Sequence, residues 1–148
     1  MKNRKLFHIL YIVYLIAIVL FIFSNSLPSK EESAETSGRL LNTVNTVLDS
    51  VGLPKMESDT LIRKTAHFVE FFVLGASLFG YTILTDKVRY NRSIYCAFAS
   101  CLIAMADETI QYFSERGSLL TDVWLDLFGA VVAIILFHLI YSKRKKEI

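Results

Sequence analysis

The run LFHILYIVYLIAIVLFIF at residues 6–23 decides the fold class of this chain. His8 is its only ionisable residue, and Lys2, Arg4 and Lys5 precede it. A helix of this length crosses a hydrocarbon core of about 30 Å, since each residue adds about 1.5 Å. The alternative is a cleaved secretory signal that ends at the Ser-Asn-Ser after the run, but the apolar region of such signals usually has only about 7–15 residues. We therefore predict a retained first transmembrane helix.

Three more apolar runs, at about residues 64–84, 93–110 and 123–141, are each long enough to span a membrane. The chain has 148 residues, of which 53% are hydrophobic and 20% are charged. Four spans of about 20 residues would fill more than half of it. The sequence therefore predicts an all-α integral membrane protein with one domain, residues 1–148, and a first loop at about residues 24–63.

Basic residues beside the spans predict the orientation of the protein, because such flanks stay in the cytoplasm. They occur before the first span, after the second and after the fourth. In a protein that crosses the membrane four times, these three positions lie on the same side. The turn before the fourth span has only Arg116. We predict cytoplasmic N- and C-termini, with the first loop and the turn at residues 111–122 outside the cell. The basic residues are Lys2, Arg4 and Lys5; Lys87, Arg89 and Arg92; and Lys143, Arg144, Lys145 and Lys146.

The first loop contains a helical repeat of apolar residues in its second half. Its first half is polar and acidic, and Gly52 and Pro54 end the repeat. We predict a short amphipathic helix that lies on the outer membrane interface or covers the bundle, with a lid over a ligand as the alternative. The apolar positions are Leu40, Leu41, Val44, Val47, Leu48 and Val51.

Several functional classes are disfavoured. The formal net charge is +2 without a clustered basic face, so we expect no nucleic-acid partner. Cys96 and Cys101 lie five apart in an apolar run, which fits small buried residues better than zinc ligands or a disulfide framework. The sequence also lacks a glycine-rich phosphate loop and a dinucleotide fingerprint. Membrane lipids are the expected surroundings.

Polar residues inside or beside the apolar runs form the main candidate functional site. A charged residue at the centre of a transmembrane helix costs about 2.5–3.5 kcal/mol, so it needs a partner or a function. The predicted topology brings the start of span two, the end of span three and the start of span four to the outer side. We call these residues the polar cluster: Arg63, Lys64, His67, Glu70, Asp107, Glu108, Gln111, Arg116, Asp122 and Asp126.

The polar cluster contains five carboxylates but only three permanent cations. Buried like charges cannot all ionise. Either one or two carboxylates are protonated, or His67 is charged, or a cation or cationic ligand completes the site. A metal is weakly supported, because only His67 offers a nitrogen ligand, and we predict neither a metal nor a cofactor. The simplest alternative is that ion pairs only anchor the bundle, with Asp122 as the N-terminal cap of span four.

Three ordered blocks of the sequence resemble the VanZ-like family of small bacterial membrane proteins. The resemblance extends over about residues 23–129, and Asp126 stands where the family more often has Asn. It implies a bacterial cell membrane and, for some members, lower susceptibility to teicoplanin-type lipoglycopeptides. The blocks are Arg63-Lys64-x-x-His67-x-x-Glu70-Phe71-x-x-Leu74-Gly75; Asp107-Glu108-x-x-Gln111-x-Phe113-x-x-x-Arg116; and Asp122-Val123-x-x-Asp126-x-x-Gly129.

Two functions follow as hypotheses. In the first, the polar cluster binds or modulates a lipid-linked envelope precursor or a lipoglycopeptide. In the second, the protein is an intramembrane enzyme in which His67 with Glu70 or Glu108 is the general base, and Arg116 stabilises negative charge. A transporter is disfavoured because the inner halves of the spans are apolar, and four helices would need a partner or a homo-oligomer to form a path.

Overall fold

The computed structural model describes residues 2–85, 91–115 and 119–146. These ranges contain five α-helices and no strand, which confirms the predicted all-helical architecture. The helices are α1 (Lys2–Ser26), α2 (Lys30–Ser50), α3 (Asp59–Thr85), α4 (Arg92–Phe113) and α5 (Leu120–Lys146).

Four of these helices are long and apolar enough to cross a membrane. The candidate spans are Arg4–Ser26, Asp59–Thr85, Arg92–Phe113 and Leu120–Arg144. Each contains one of the apolar runs and extends beyond it at both ends. Large apolar side chains on their outer surfaces are exposed, as expected of helices whose solvent is lipid. The architecture is that of a multi-pass membrane protein.

The largest helix interface joins α3 and α5. The two helices run in the same direction, because Lys64 contacts Asp122 near their starts and Phe79 contacts His138 towards their ends. Glycine allows their backbones to touch. A Cβ atom at Gly75 would lie 2.5 Å from the carbonyl oxygen of Ala130, and one at Gly129 would lie 2.5 Å from that of Phe68. Small residues bring membrane helices together in this way, because van der Waals contact replaces the hydrophobic effect there.

α1 and α4 run opposite to this pair. Asn25, near the end of α1, contacts Glu70 near the start of α3. Ser93, at the start of α4, contacts His138 near the end of α5. The end of α1, the start of α3, the end of α4 and the start of α5 therefore meet at one end of the bundle. Next to this end, the apolar core is formed by the fully buried residues Ile22, Phe71, Leu74, Ala104 and Ala130.

α2 is longer than the apolar repeat predicted, because it begins ten residues before Leu40, at Lys30. Ser29 caps its N-terminus by accepting from the Glu32 amide, and the Glu32 carboxylate accepts from the Ser29 amide. Two reciprocal bonds satisfy donors that a helix start otherwise leaves free. At the other end, Gly52 adopts φ +71° and the Leu53 amide donates to the carbonyl of Leu48, forming a Schellman motif. α2 packs against α3.

Candidate functional site

The nine described members of the polar cluster lie together at the end of the bundle where α1, α3, α4 and α5 meet. Arg116 lies outside the described residues. α3 supplies Arg63, Lys64, His67 and Glu70 from its first four turns. α4 supplies Asp107, Glu108 and Gln111 from its last two turns, and α5 supplies Asp122 and Asp126 from its first two.

The centre of the polar cluster is formed by one side chain from each of three helices. His67, Asp107 and Asp126 place ligand-type atoms within 4.8 Å of one another. The His67 Nδ1 atom lies 3.9 Å from Asp107 Oδ2 and 3.7 Å from Glu70 Oε2. Asp107 is 0% exposed and Asp126 is 1% exposed, so the two carboxylates lie inside protein. Segments remote in sequence thus converge on one small volume.

A hydrogen bond within α4 orients the carboxylate of Asp107, and the donor of that bond also contacts the end of α1. The Gln111 amide, one turn later on α4, donates to Asp107 Oδ2 at 2.8 Å. The same amide also donates to the hydroxyl of Ser26 at 3.3 Å. All three side chains are buried, and such bonds gain strength where water does not compete. The end of α1 is therefore part of the site.

Asn25 is a second contribution of α1 that the sequence did not predict. Its amide donates to Glu70 Oε1 at 2.7 Å. Asn25 and Ser26 belong to the Ser-Asn-Ser that follows the first apolar run, where polar residues are common at a helix end. Because their side chains are uncharged, the sequence gives no energetic reason to assign them a partner. Their position at the predicted outer end of the first span is the one sequence feature that places them near the polar cluster.

The rim of the polar cluster contains more exposed contacts. Lys64 Nζ lies 2.9 Å from Asp122 Oδ1, with 41% and 24% of the two side chains exposed. The Glu108 carboxylate accepts from the amide of Leu119, the residue before α5, at 3.1 Å. Both contacts tie the start of α5 to a neighbouring helix. Asp122 is therefore an ion-pair partner of α3.

Two of the cavities that adjoin the polar cluster share lining residues. A small one of about 20 Å³ lies between α3, α4 and α5. A larger groove of about 250 Å³ lies between α2, the end of α1 and the start of α3. Arg63 and His67 line both of them, so residues of the polar cluster form part of the wall of the groove. The small cavity is lined by Arg63, Lys64, His67, Glu108, Gln111, Asp122, Leu125 and Asp126.

A cavity of about 750 Å³ lies at the opposite end of the bundle. Its lining includes Arg4, His138 and the buried Arg92, whose guanidinium lies 5.3 Å from the centre of the Tyr141 ring. This cavity is larger than those beside the polar cluster, but none of the polar residues of the three sequence blocks lines it. We therefore place the candidate site at the polar cluster.

These features define a class: a small helical membrane protein with a carboxylate-rich cluster at one end of its bundle. Residues 9–141 match the family model described as VanZ/LLP1, and the chain belongs to this family. The match covers nearly the whole chain, and it confirms the resemblance carried by the three sequence blocks. No curated protein and no solved structure matches the chain.

Proposed function

We propose that this VanZ-family protein is a binding protein of a bacterial cell membrane, with both termini in the cytoplasm and the polar cluster at the outer leaflet. Its ligand is the polar head of a lipid-linked envelope precursor or of a lipoglycopeptide. Its cellular effect is lower susceptibility to teicoplanin-type antibiotics. The basic flanks at the opposite end of the bundle, which include Arg4, Lys143 and Arg144, support this orientation.

The observation that carries the proposal is the connection between groove and cluster through Arg63 and His67. The groove lies at the level where α2 meets the bundle, so a lipid-attached molecule could enter from the side without crossing the membrane. A guanidinium binds phosphate or carboxylate with two parallel hydrogen bonds. Arg63 is suited to the charged head, and the apolar outer surfaces of the helices are suited to its lipid chain.

The test is teicoplanin susceptibility in a deletion strain that expresses the wild type or a variant at equal levels. We expect Arg63→Ala to lose the protection that the wild type gives. The matched control is Arg39→Ala, because Arg39 is an exposed residue of α2 that pairs only with the exposed Glu35 among described contacts. Full protection by Arg63→Ala, or no protection by the wild type, would contradict the proposal.

A second candidate function is an intramembrane acid–base enzyme that modifies a lipid-linked substrate. It is favoured by the position of His67 Nδ1, which faces Glu70 at 3.7 Å and Asp107 at 3.9 Å. A histidine beside carboxylates can accept and return a proton. Mass spectrometry of envelope lipids separates the two functions. A lipid that appears with the wild type but not with His67→Gln indicates catalysis, whereas an unchanged profile with altered susceptibility indicates binding.

A further inference from the structure

We infer that His67, Asp107 and Asp126 form a binding site for one divalent transition-metal cation. The site lies at the centre of the polar cluster, where the sequence alone predicted no metal. The inference does not depend on which envelope compound the protein binds, because metal content can be measured without any other ligand.

Asp126 provides the first argument. Its side chain is 1% exposed, and neither carboxylate oxygen has a hydrogen-bond partner among the residues that the structure describes. Asp126 also lines the small cavity. Burying a carboxylate without hydrogen bonds is expensive, so such a group usually pairs with a charge or coordinates a metal.

The surrounding charges provide the second argument. The carboxylates of Glu108 and Asp122 line the same small cavity as Asp126, and Asp107 places a ligand-type atom within 4.8 Å of it. Buried charges of one sign are stabilised when they pair with an opposite charge or coordinate a metal. One divalent cation between Asp107 and Asp126 would neutralise both carboxylates.

The distances provide the third argument. Nitrogen and oxygen ligands lie about 2.0–2.2 Å from a cation such as Zn²⁺, so two ligands of one ion are at most about 4.4 Å apart. His67 Nδ1 and Asp107 Oδ2 already satisfy this limit at 3.9 Å. The ligand-type atoms of the three residues all lie within 4.8 Å of one another. A side-chain movement of a few tenths of an ångström would bring every pair within the limit. The Gln111 amide donates to the same Asp107 oxygen and holds the carboxylate in place, as residues around metal sites commonly do.

The ligand chemistry selects the kind of cation. Ca²⁺ and Mg²⁺ take oxygen ligands, whereas imidazole favours Zn²⁺, Fe²⁺ and other transition metals. One imidazole with two carboxylates fits Zn²⁺ or Mn²⁺. The adjacent cavity of about 20 Å³ has room for one water molecule, which would complete the coordination.

The experiment uses the full-length protein in detergent, stripped with a chelator and then equilibrated with Zn²⁺, Mn²⁺ or Mg²⁺. Bound metal is measured by elemental mass spectrometry, and folding by gel filtration and circular dichroism. We expect about one Zn²⁺ or Mn²⁺ per chain, with the apparent Kd at least tenfold weaker in Asp126→Asn and in His67→Gln. The control Asp59→Asn changes a carboxylate on α3 outside the polar cluster, and it should bind like the wild type.

Two results of the metal measurement, and one infrared result, would overturn the inference. One is folded wild-type protein that retains no metal after equilibration. The other is metal binding that is equal in the wild type, Asp126→Asn and His67→Gln. A protonated carboxyl band in the infrared spectrum that disappears in Asp126→Asn, under conditions in which the metal is present, would show that a proton occupies the site instead. Loss of antibiotic protection is not used as a readout, so failure here leaves the binding proposal intact.

Discussion

Gln111 connects two helices, α4 and α1, at the polar end of the bundle through a single amide group. It donates to Asp107 on its own helix and to Ser26 at the end of α1, and it lies in the last turn of α4. Removing this donor leaves a buried carboxylate with one hydrogen bond fewer. Losing such a bond costs more free energy than an average hydrogen bond contributes, because the carboxylate that remains is still shielded from water.

We predict that Gln111→Leu lowers the free energy of unfolding by about 1–3 kcal/mol. Thermal unfolding in detergent measures the change. Thr109→Val is the control, because Thr109 is an exposed residue of the same helix whose hydroxyl bonds only to the backbone carbonyl of Met105 among described contacts. Equal stability of Gln111→Leu and the control would show that the Asp107–Gln111 contact contributes nothing to folding.

The charged members of the polar cluster could be predicted because a charge in a membrane span costs free energy, so such a residue needs a partner or a function. Helical spacing and the alternation of the four passes then placed them at one level. Asn25 and Ser26 could not be predicted in the same way, because neutral polar residues at a helix end cost little. The pairing of Asp122 with Lys64 also depends on how α3 and α5 are packed, which spacing within one helix does not determine.

At the scale of the helices, the contact between α3 and α5 depends on two glycines. A methyl group at Gly129 would lie 2.5 Å from the carbonyl oxygen of Phe68, which is rigid backbone. We predict that Gly129→Ala pushes the helices apart and costs about 1–3 kcal/mol of stability, as overpacking of cores usually does. The melting temperature in detergent should fall accordingly.

Gly38 in α2 is the matched contrast, because nothing lies within 4 Å of a Cβ atom placed there. Alanine is favoured over glycine inside a helix by about 1 kcal/mol, so Gly38→Ala should raise the melting temperature. If both alanine variants shift the melting temperature in the same direction, the close approach at Gly129 does not govern the packing of α3 on α5.

The prediction of α2 shows what a periodic pattern can and cannot detect. Its second half has apolar residues at helical spacing, and this spacing predicts a helix there. Its first half, from Lys30, is polar and acidic, so it has no apolar stripe to recognise. The capping box of Ser29 and Glu32 supports a helix start there, but a start signal without a following apolar repeat was not sufficient for a prediction.

At the scale of the whole molecule, the orientation in the membrane is the prediction on which the proposed function depends. We expect Glu57→Cys, in a chain whose two native cysteines are replaced by alanine, to react with a membrane-impermeant maleimide in intact cells. Glu57 is exposed in the segment between α2 and α3, outside any span. A fluorescent protein fused to the C-terminus should fluoresce, because that end is expected in the cytoplasm.

The opposite labelling result would mean that the bundle has the inverted orientation in the membrane. In that case Glu57 reacts only after the cells are opened, and the polar cluster lies at the inner leaflet. An envelope precursor or antibiotic at the outer leaflet could then not reach Arg63 from the groove.

The ion pair between Lys64 and Asp122 also has a consequence for biogenesis, because its two residues are 58 positions apart. At about 5–20 residues per second, synthesis reaches Asp122 about 3–12 s after Lys64. The partner of Glu70, Asn25, is by contrast made earlier, so α1 can shield that carboxylate as α3 leaves the translocon. The nascent α3 must keep its basic end in water until the last helix is inserted. A chain that stops before α5 would therefore leave Lys64 of the inserted α3 without its carboxylate partner.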